Sequence, residues 1–276
     1  MRTGRMRRTV AASAYALAAV MALPCAVWAQ DAPSSAAKKP LIMMAKDADP
    51  DWEVVTVKPN TPSDQGDSIH TDGRRVTIER YSVQGMLLFG YGVQKSQLAG
   101  VPEWAKTELW DVDGLATAEG KPDVRQLRVM MRKALDERFG MKLHHEQREM
   151  PVYALTIAKG GAKIAPNTTH PNGLVEQQST ETSGQQTLVY KNASMPELAQ
   201  TLMFNVDRPV VDRTGLTGRY DVQLKWTMDE SKAPTDGTAA PSLFTAVQEQ
   251  LGLKLEAVKA PADVLVVDAV ERPGAN

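Results

Sequence analysis

Hydrophobic and polar positions change rhythm several times along this chain, and each change marks an element. WEVVTVKP, from Trp52, and RRVTIERY, from Arg74, are rich in β-branched residues and predict strands, with Asp72-Gly73 as the turn before the second. Behind Ser82 the spacing becomes helical. Val83, Met86, Leu87 and Tyr91 predict a short buried helix with a serine cap. Trp110 to Leu115 predicts another strand. Pro122-Asp123 then opens a longer helix whose stripe is Val124, Leu127, Met131, Leu135 and Phe139, with Gly140 as its stop. Two β runs follow, MKLHHEQRE and PVYALTIAKG.

The stretch from Gly160 to Gln186 is polar and poor in large apolar residues, which predicts a long mobile connection over residues 161–186. The earlier order then returns: strand TLVYKNAS, a Ser194-capped helix MPELAQTLMFN, a short extended Pro209-Val210-Val211 and strand GRYDVQLKW. A second loop, MDESKAPTDGTAAP, leads to helix SLFTAVQEQLG and the strands LKLEAVKA and DVLVVDAV. Ser82 matches Ser194, Trp110-Asp111-Val112 matches Tyr220-Asp221-Val222, and the Gly-x-Lys-Leu that begins at Gly140 recurs at Gly252. The expected fold class is α+β, with two similar β-α-β-α-β-β units over residues 51–160 and 187–273, each a small sheet covered by two helices.

Upstream of this pattern lies a different one. Arg2, Arg5, Arg7 and Arg8 precede an apolar run from Val10 to Leu23 and then Val27-Trp28-Ala29, the layout of a secretory signal peptide cut after residue 29. The run is shorter than the roughly 20 residues needed to span a bilayer. Cys25, the only cysteine, leaves open a lipoprotein alternative, although Pro24 directly before it suits that processing badly. Residues 30–50, rich in Ala, Pro, Ser and Lys, read as a flexible linker. The product is expected to be exported, periplasmic or extracellular.

Cleavage removes the one thiol, which excludes thiol catalysis, zinc–cysteine sites and disulfides together. It also leaves 28 Lys and Arg against 33 Asp and Glu, a formal charge of −5, which argues against nucleic acid as a partner.

Candidate chemistry is sparse. His144 and His145 are neighbours on an expected strand, point to opposite faces and cannot chelate one metal together. His70 and His170 lie in loop-like sequence without a ligand cluster. Nucleophile elbow, phosphate loop and dinucleotide fingerprint are all missing, so no cofactor, metal or catalytic residue is expected. Asp111 and Asp113 share a strand face and read as exposed edge charges. Trp104 and Trp110 are either a docking patch or core. The most distinctive string runs from Val210 to Asp221. Its Asp212, Arg213, Gly215, Gly218, Arg219 and Asp221 are either a tight connection, with Arg219 and Asp221 placed to pair, or a partner loop.

WEVVTVKPN, VVDRTGLTGRYD and LFTAVQEQLGLKLE together resemble the soil-associated family of exported bacterial proteins, and the resemblance runs from Trp52 to Pro273. It implies no catalytic residues. Some members are similar to the exported portion of membrane-bound zinc-peptidase sensors, whose metal motif and membrane spans this chain lacks. ASMPELAQTLMFNVDRPVVD with the strands after it is also similar to the short N-terminal domains of secretins and TonB-dependent receptors, small modules that mediate envelope contacts. These likenesses imply a non-catalytic binding or scaffold module with an envelope protein or ligand as partner. A sensor lobe and a hydrolase using Asp, Glu and His between the halves are the alternatives.

Overall fold

The computed structural model describes residues 42–61, 66–169, 173, 175–182, 184–228 and 240–274. The expected signal peptide with Cys25, most of the linker, His170 and most of the second loop lie outside the described residues. Among those described, the chain is a mixed α+β fold of eleven strands in three sheets and five α-helices.

The first sheet has the order β1-β5-β3-β2, from β1 (Trp52–Asn60), β2 (Ser68–Asp72), β3 (Arg75–Ser82) and β5 (Leu109–Ala116). Its helices are α1 (Val83–Tyr91), α2 (Glu103–Thr107) and α3 (Val124–Phe139). Ser82 Oγ caps α1 by accepting the Gly85 N–H at 3.0 Å. Asp123 and Gln126 exchange side-chain and backbone bonds at the start of α3, a capping box that satisfies two otherwise orphaned donors. Gly140, left-handed at φ 56°, ends that helix. Val124, expected on the buried stripe, is exposed because it is the first helical residue and lies on the solvent side of the entry turn. Met130, Met131, Ala134, Leu135 and Phe139 form the buried face instead.

The second sheet, β10-β8-β7, is built from β7 (Glu176–Thr182), β8 (Gln185–Ala193) and β10 (Tyr220–Thr227), with α4 (Met195–Met203) and α5 (Leu243–Leu251) packed in the same core. β7 lies inside the segment read from the sequence as a mobile connection. EQQSTET pairs with β8 through its backbone and all seven of its residues stay exposed, so hydrophobic pattern could not reveal it. At the other end of the chain the fold begins before Trp52. Met44 is buried in the first core and its N–H donates to Lys121 O at 2.8 Å, so residues 42–50 are docked rather than a tether. Ile42-Met43-Met44 is the apolar triplet that composition alone obscured.

The third sheet, β4-β11-β6-β9, joins the two. Its centre is a ribbon of two long strands, β6 (Lys142–Ile157) and β11 (Leu253–Ala269), paired antiparallel from Leu253 opposite Ile157 to Ala269 opposite Lys142. The sequence reading divided each at a proline; each runs straight through. Tyr153 N–H donates to Pro209 O and Leu155 O accepts Arg213 N–H, both away from β11. Backbone groups alternate sides, so the nitrogen of Pro151, two residues earlier, also faces away from β11 and removes no bond from the ribbon. Pro261 stands opposite Glu149, a pair of the same class.

The ribbon's edges are exchanged between the halves. β4 (Leu98–Ala99), from the first, lies parallel to β11, with Leu98 opposite Leu265. β9 (Val210–Asp212), from the second, lies parallel to β6, with Val210 opposite Tyr153. Both ends of the ribbon therefore enter the cores: Leu265 and Val267 join the first, and Leu155, Leu253 and Leu255 the second.

Candidate functional site

The six residues singled out at 212–221 are held mostly by their own architecture. Asp212 Oδ1 accepts the Thr214 backbone N–H at 2.9 Å and its hydroxyl at 2.8 Å, and Thr214 Oγ1 accepts the Leu216 N–H at 3.1 Å. Gly215 takes φ 69°, where a Cβ is penalised. Arg213 donates through its N–H to Leu155 O at 2.9 Å. At Gly218 a side chain would meet the Tyr220 hydroxyl at 3.1 Å.

Arg219 and Asp221 do not pair with each other. Arg219 reaches Glu197 Oε2 at 2.7 Å and Asn192 O at 3.2 Å, because α4 presents Glu197 on that side. Asp221 Oδ1 accepts the Asn192 N–H at 2.9 Å and Asn167 Nδ2 at 3.0 Å. Asp111 holds the same place in the first sheet, accepting the Arg80 N–H at 2.9 Å and the Asn60 amide. Arg80 and Asn192 are the non-glycine residues with positive φ among those described. Asp111 and Asp113 are thus not edge charges, because β5 lies between β1 and β3; Asp113 binds Arg75 and Thr77 across the sheet.

The other candidates resolve similarly. Trp110 is buried edge-to-face on Phe139, with ring centroids 5.7 Å apart, while Trp104 lies under the Arg272 guanidinium at 4.7 Å. His144 bridges Asp268 Oδ1 at 2.8 Å and Glu146 Oε1 at 3.0 Å, and His145 contacts Asp263 Oδ2 at 2.6 Å. Among the described residues no group of three or more His, Cys, Asp or Glu is arranged to hold a metal ion. No helix among them is long and apolar enough to cross a membrane.

Of the six, Asp212 also borders a cleft of about 240 Å³ where the halves meet. Tyr91, Gly92 and Gln97 line it from the first half, Gln200 and Met203 from α4, and Asp263 from the ribbon. Gln94 clamps the seam nearby, donating from Nε2 to Met203 O at 2.7 Å and Val206 O at 2.8 Å. A second depression of about 440 Å³ lies between α5 and β11, with Phe244, Gln248, Glu249 and Lys254 on its walls.

Sequence reasoning missed Arg128. It projects from α3 to the seam, with its guanidinium carbon 5.2 Å from the Phe204 ring centre and 6.0 Å from that of Phe89. Nothing accepts from its Nε, which is buried. Desolvation by burial pushes its pKa below the ordinary arginine value, with Tyr190 opposing and Arg132 adding to the shift. The residue as a whole is only partly buried, so the two ring contacts accompany a guanidinium that is desolvated on one side. A cationic residue on the second turn of an amphipathic helix reads as solvent-facing from sequence, and only Phe204, at the end of α4, and Phe89 reveal its partial burial.

The chain is an α+β protein of three sheets, with a cleft where α4, β9, the ribbon and the end of α1 come together. The chain matches, over residues 84–270, the family described as protein of unknown function DUF3738, and it belongs to that family. No curated protein and no solved structure matches it.

Proposed function

We propose that the chain is an exported, non-catalytic binding or scaffold module of the bacterial envelope, made of two similar units that exchange an edge strand and meet a protein or envelope ligand at their seam. The seam cleft carries the reading: both halves contribute its walls, and it adjoins the partly buried Arg128, whose Nε has no partner. Export rests on the amino-terminal charge and apolar pattern.

Similarity of the units is supported by one constant sequence spacing that relates Arg80 to Asn192, Ser82 to Ser194, Leu98 to Val210, Gly140 to Gly252 and Tyr153 to Leu265. Members of each pair hold equivalent places: the positive-φ residue, the helix cap, the exchanged edge strand, the glycine stop and that strand's partner on the ribbon.

Photo-crosslinking in intact cells from Gln200, at the seam, and from Glu53, on the first sheet, tests the reading. A defined envelope protein or ligand recovered from Gln200 alone, on a chain whose amino terminus is Gln30, is the expected result. Identical products from both positions, on a chain that keeps its first 29 residues, would overturn it.

A further inference from the structure

The seam shows an unmet demand for an acceptor at one small place. A methyl group built on Gly92 would lie 2.6 Å from Gln200 Nε2 and 3.2 Å from Arg128 Nη1, so two side-chain donors face the same space beside a residue that has no side chain. Gln200 Nε2 makes only a long 3.5 Å contact, to Gly92 O. Arg128 Nε is buried without a hydrogen-bond partner. A structural role at the negative end of α1 would account for a cation there. That role is already filled: Phe89 O accepts the Gly92 N–H, Leu88 O accepts the Val93 N–H at 3.2 Å, and Gly90 O accepts Arg132 Nη1 at 2.6 Å.

We propose that this part of the seam binds the carboxylate of a small ligand with an apolar or aromatic body, Arg128 and Gln200 being its donors. A planar guanidinium matches a carboxylate through paired bonds. The half-exposed Phe204 ring beside it offers an apolar wall for the rest of the ligand. Asp212 and Asp263 border the same cleft and disfavour a dianion, which selects a monocarboxylate over a phosphate. The inference deepens the reading of the seam as a ligand surface, and its test can fail while crosslinking from Gln200 succeeds.

Titration of the mature, ¹⁵N-labelled protein with benzoate, with benzamide as the uncharged isostere and with inorganic phosphate provides the test. Benzoate is expected to shift the Arg128 Nε–H and Gln200 side-chain signals and to raise the melting temperature, while benzamide and phosphate do neither. Arg128→Met should weaken benzoate by roughly tenfold or more with little effect on the melting temperature of the free protein, since it keeps the apolar stem and removes a partly desolvated head whose Nε has no partner. Arg128→Lys, which retains charge but not the planar fork, should also weaken it; Arg213→Ala should not. Absence of benzoate binding at tens of millimolar, undiminished binding in Arg128→Met, or binding of phosphate as tight as that of benzoate would each overturn the proposal. So would a large loss of stability in Arg128→Met with no ligand bound by the wild type, which would mark a purely structural arginine.

Discussion

The Oδ1 of Asp111 accepts the backbone N–H of Arg80 at 2.9 Å from the neighbouring strand, where Arg80 holds a left-handed φ of 60°. The register between β3 and β5 shifts there, between Ile78 and Tyr81, so the bond satisfies a donor that the bulge removes from the ladder. Asp111→Ala should therefore cost about 1–3 kcal/mol, the usual penalty for leaving such a donor unsatisfied, and Asp221→Ala should act alike through Asn192. Urea unfolding of the two variants and of Asp111→Asn, which keeps an acceptor, checks this; equal losses in all three would refute it.

The two glycine stops differ in surroundings. Gly140 and Gly252 are both left-handed, at φ 56° and 65°, but a Cβ on Gly140 meets nothing nearer than 3.9 Å, while one on Gly252 would lie 2.1 Å from Gly161 O. Gly140→Ala should cost about 1 kcal/mol, from backbone conformation alone. Gly252→Ala should cost clearly more, because the 161–163 segment must also move, and thermal unfolding of both variants gives the comparison.

Proline in the ribbon is tolerated by position. Pro151→Thr should change stability by less than about 1 kcal/mol. Val152→Pro, one residue on, would put the ring where the nitrogen faces β11 and would also alter a fully buried side chain, for a loss of about 3 kcal/mol or more. Folding of Val152→Pro with wild-type stability would contradict the alternation deduced from Tyr153 and Leu155.

At the ribbon end, Glu146 and then Asp268 hold the His144 pKa above its ordinary 6.5, and His144 followed by Arg148 holds that of Glu146 below its ordinary 4.5. A raised histidine pKa contributes stability that is full below 6.5 and is lost as pH rises through the folded value. A lowered carboxylate pKa contributes above 4.5 and is lost as pH falls through its folded value. The cluster should help most between those limits. Both groups are solvent-exposed, so the effect should be small and shrink with salt. Melting temperatures of wild type and His144→Gln from pH 4 to 9 should converge at the alkaline end; a constant gap across the range would exclude this linkage.

Much of the scaffold was legible in the sequence because it follows local rules. Ser82, Asp123 and Ser194 announced helix starts, Gly140 and Gly252 announced stops, and the buried alternation of β5 and β10 announced strands. The β7 strand was not legible, since EQQSTET buries no side chain and its pairing is purely backbone. Pro151 and Pro261 misled for a related reason: proline breaks a strand only where its nitrogen must donate, and the pairing partner decides that. Asp212 was legible as a member of a tight connection, but its position on the seam was not.

The chain by itself determined the α+β class and the caps that open α1, α3 and α4, each encoded within a few residues, while the short α2 carried no such signal. Tertiary structure alone decided the exchange of β4 and β9 across the ribbon and the convergence of Arg128 and Gln200 at Gly92. Those depend on burial and pairing between segments far apart in sequence, so no local pattern of residues could have specified them.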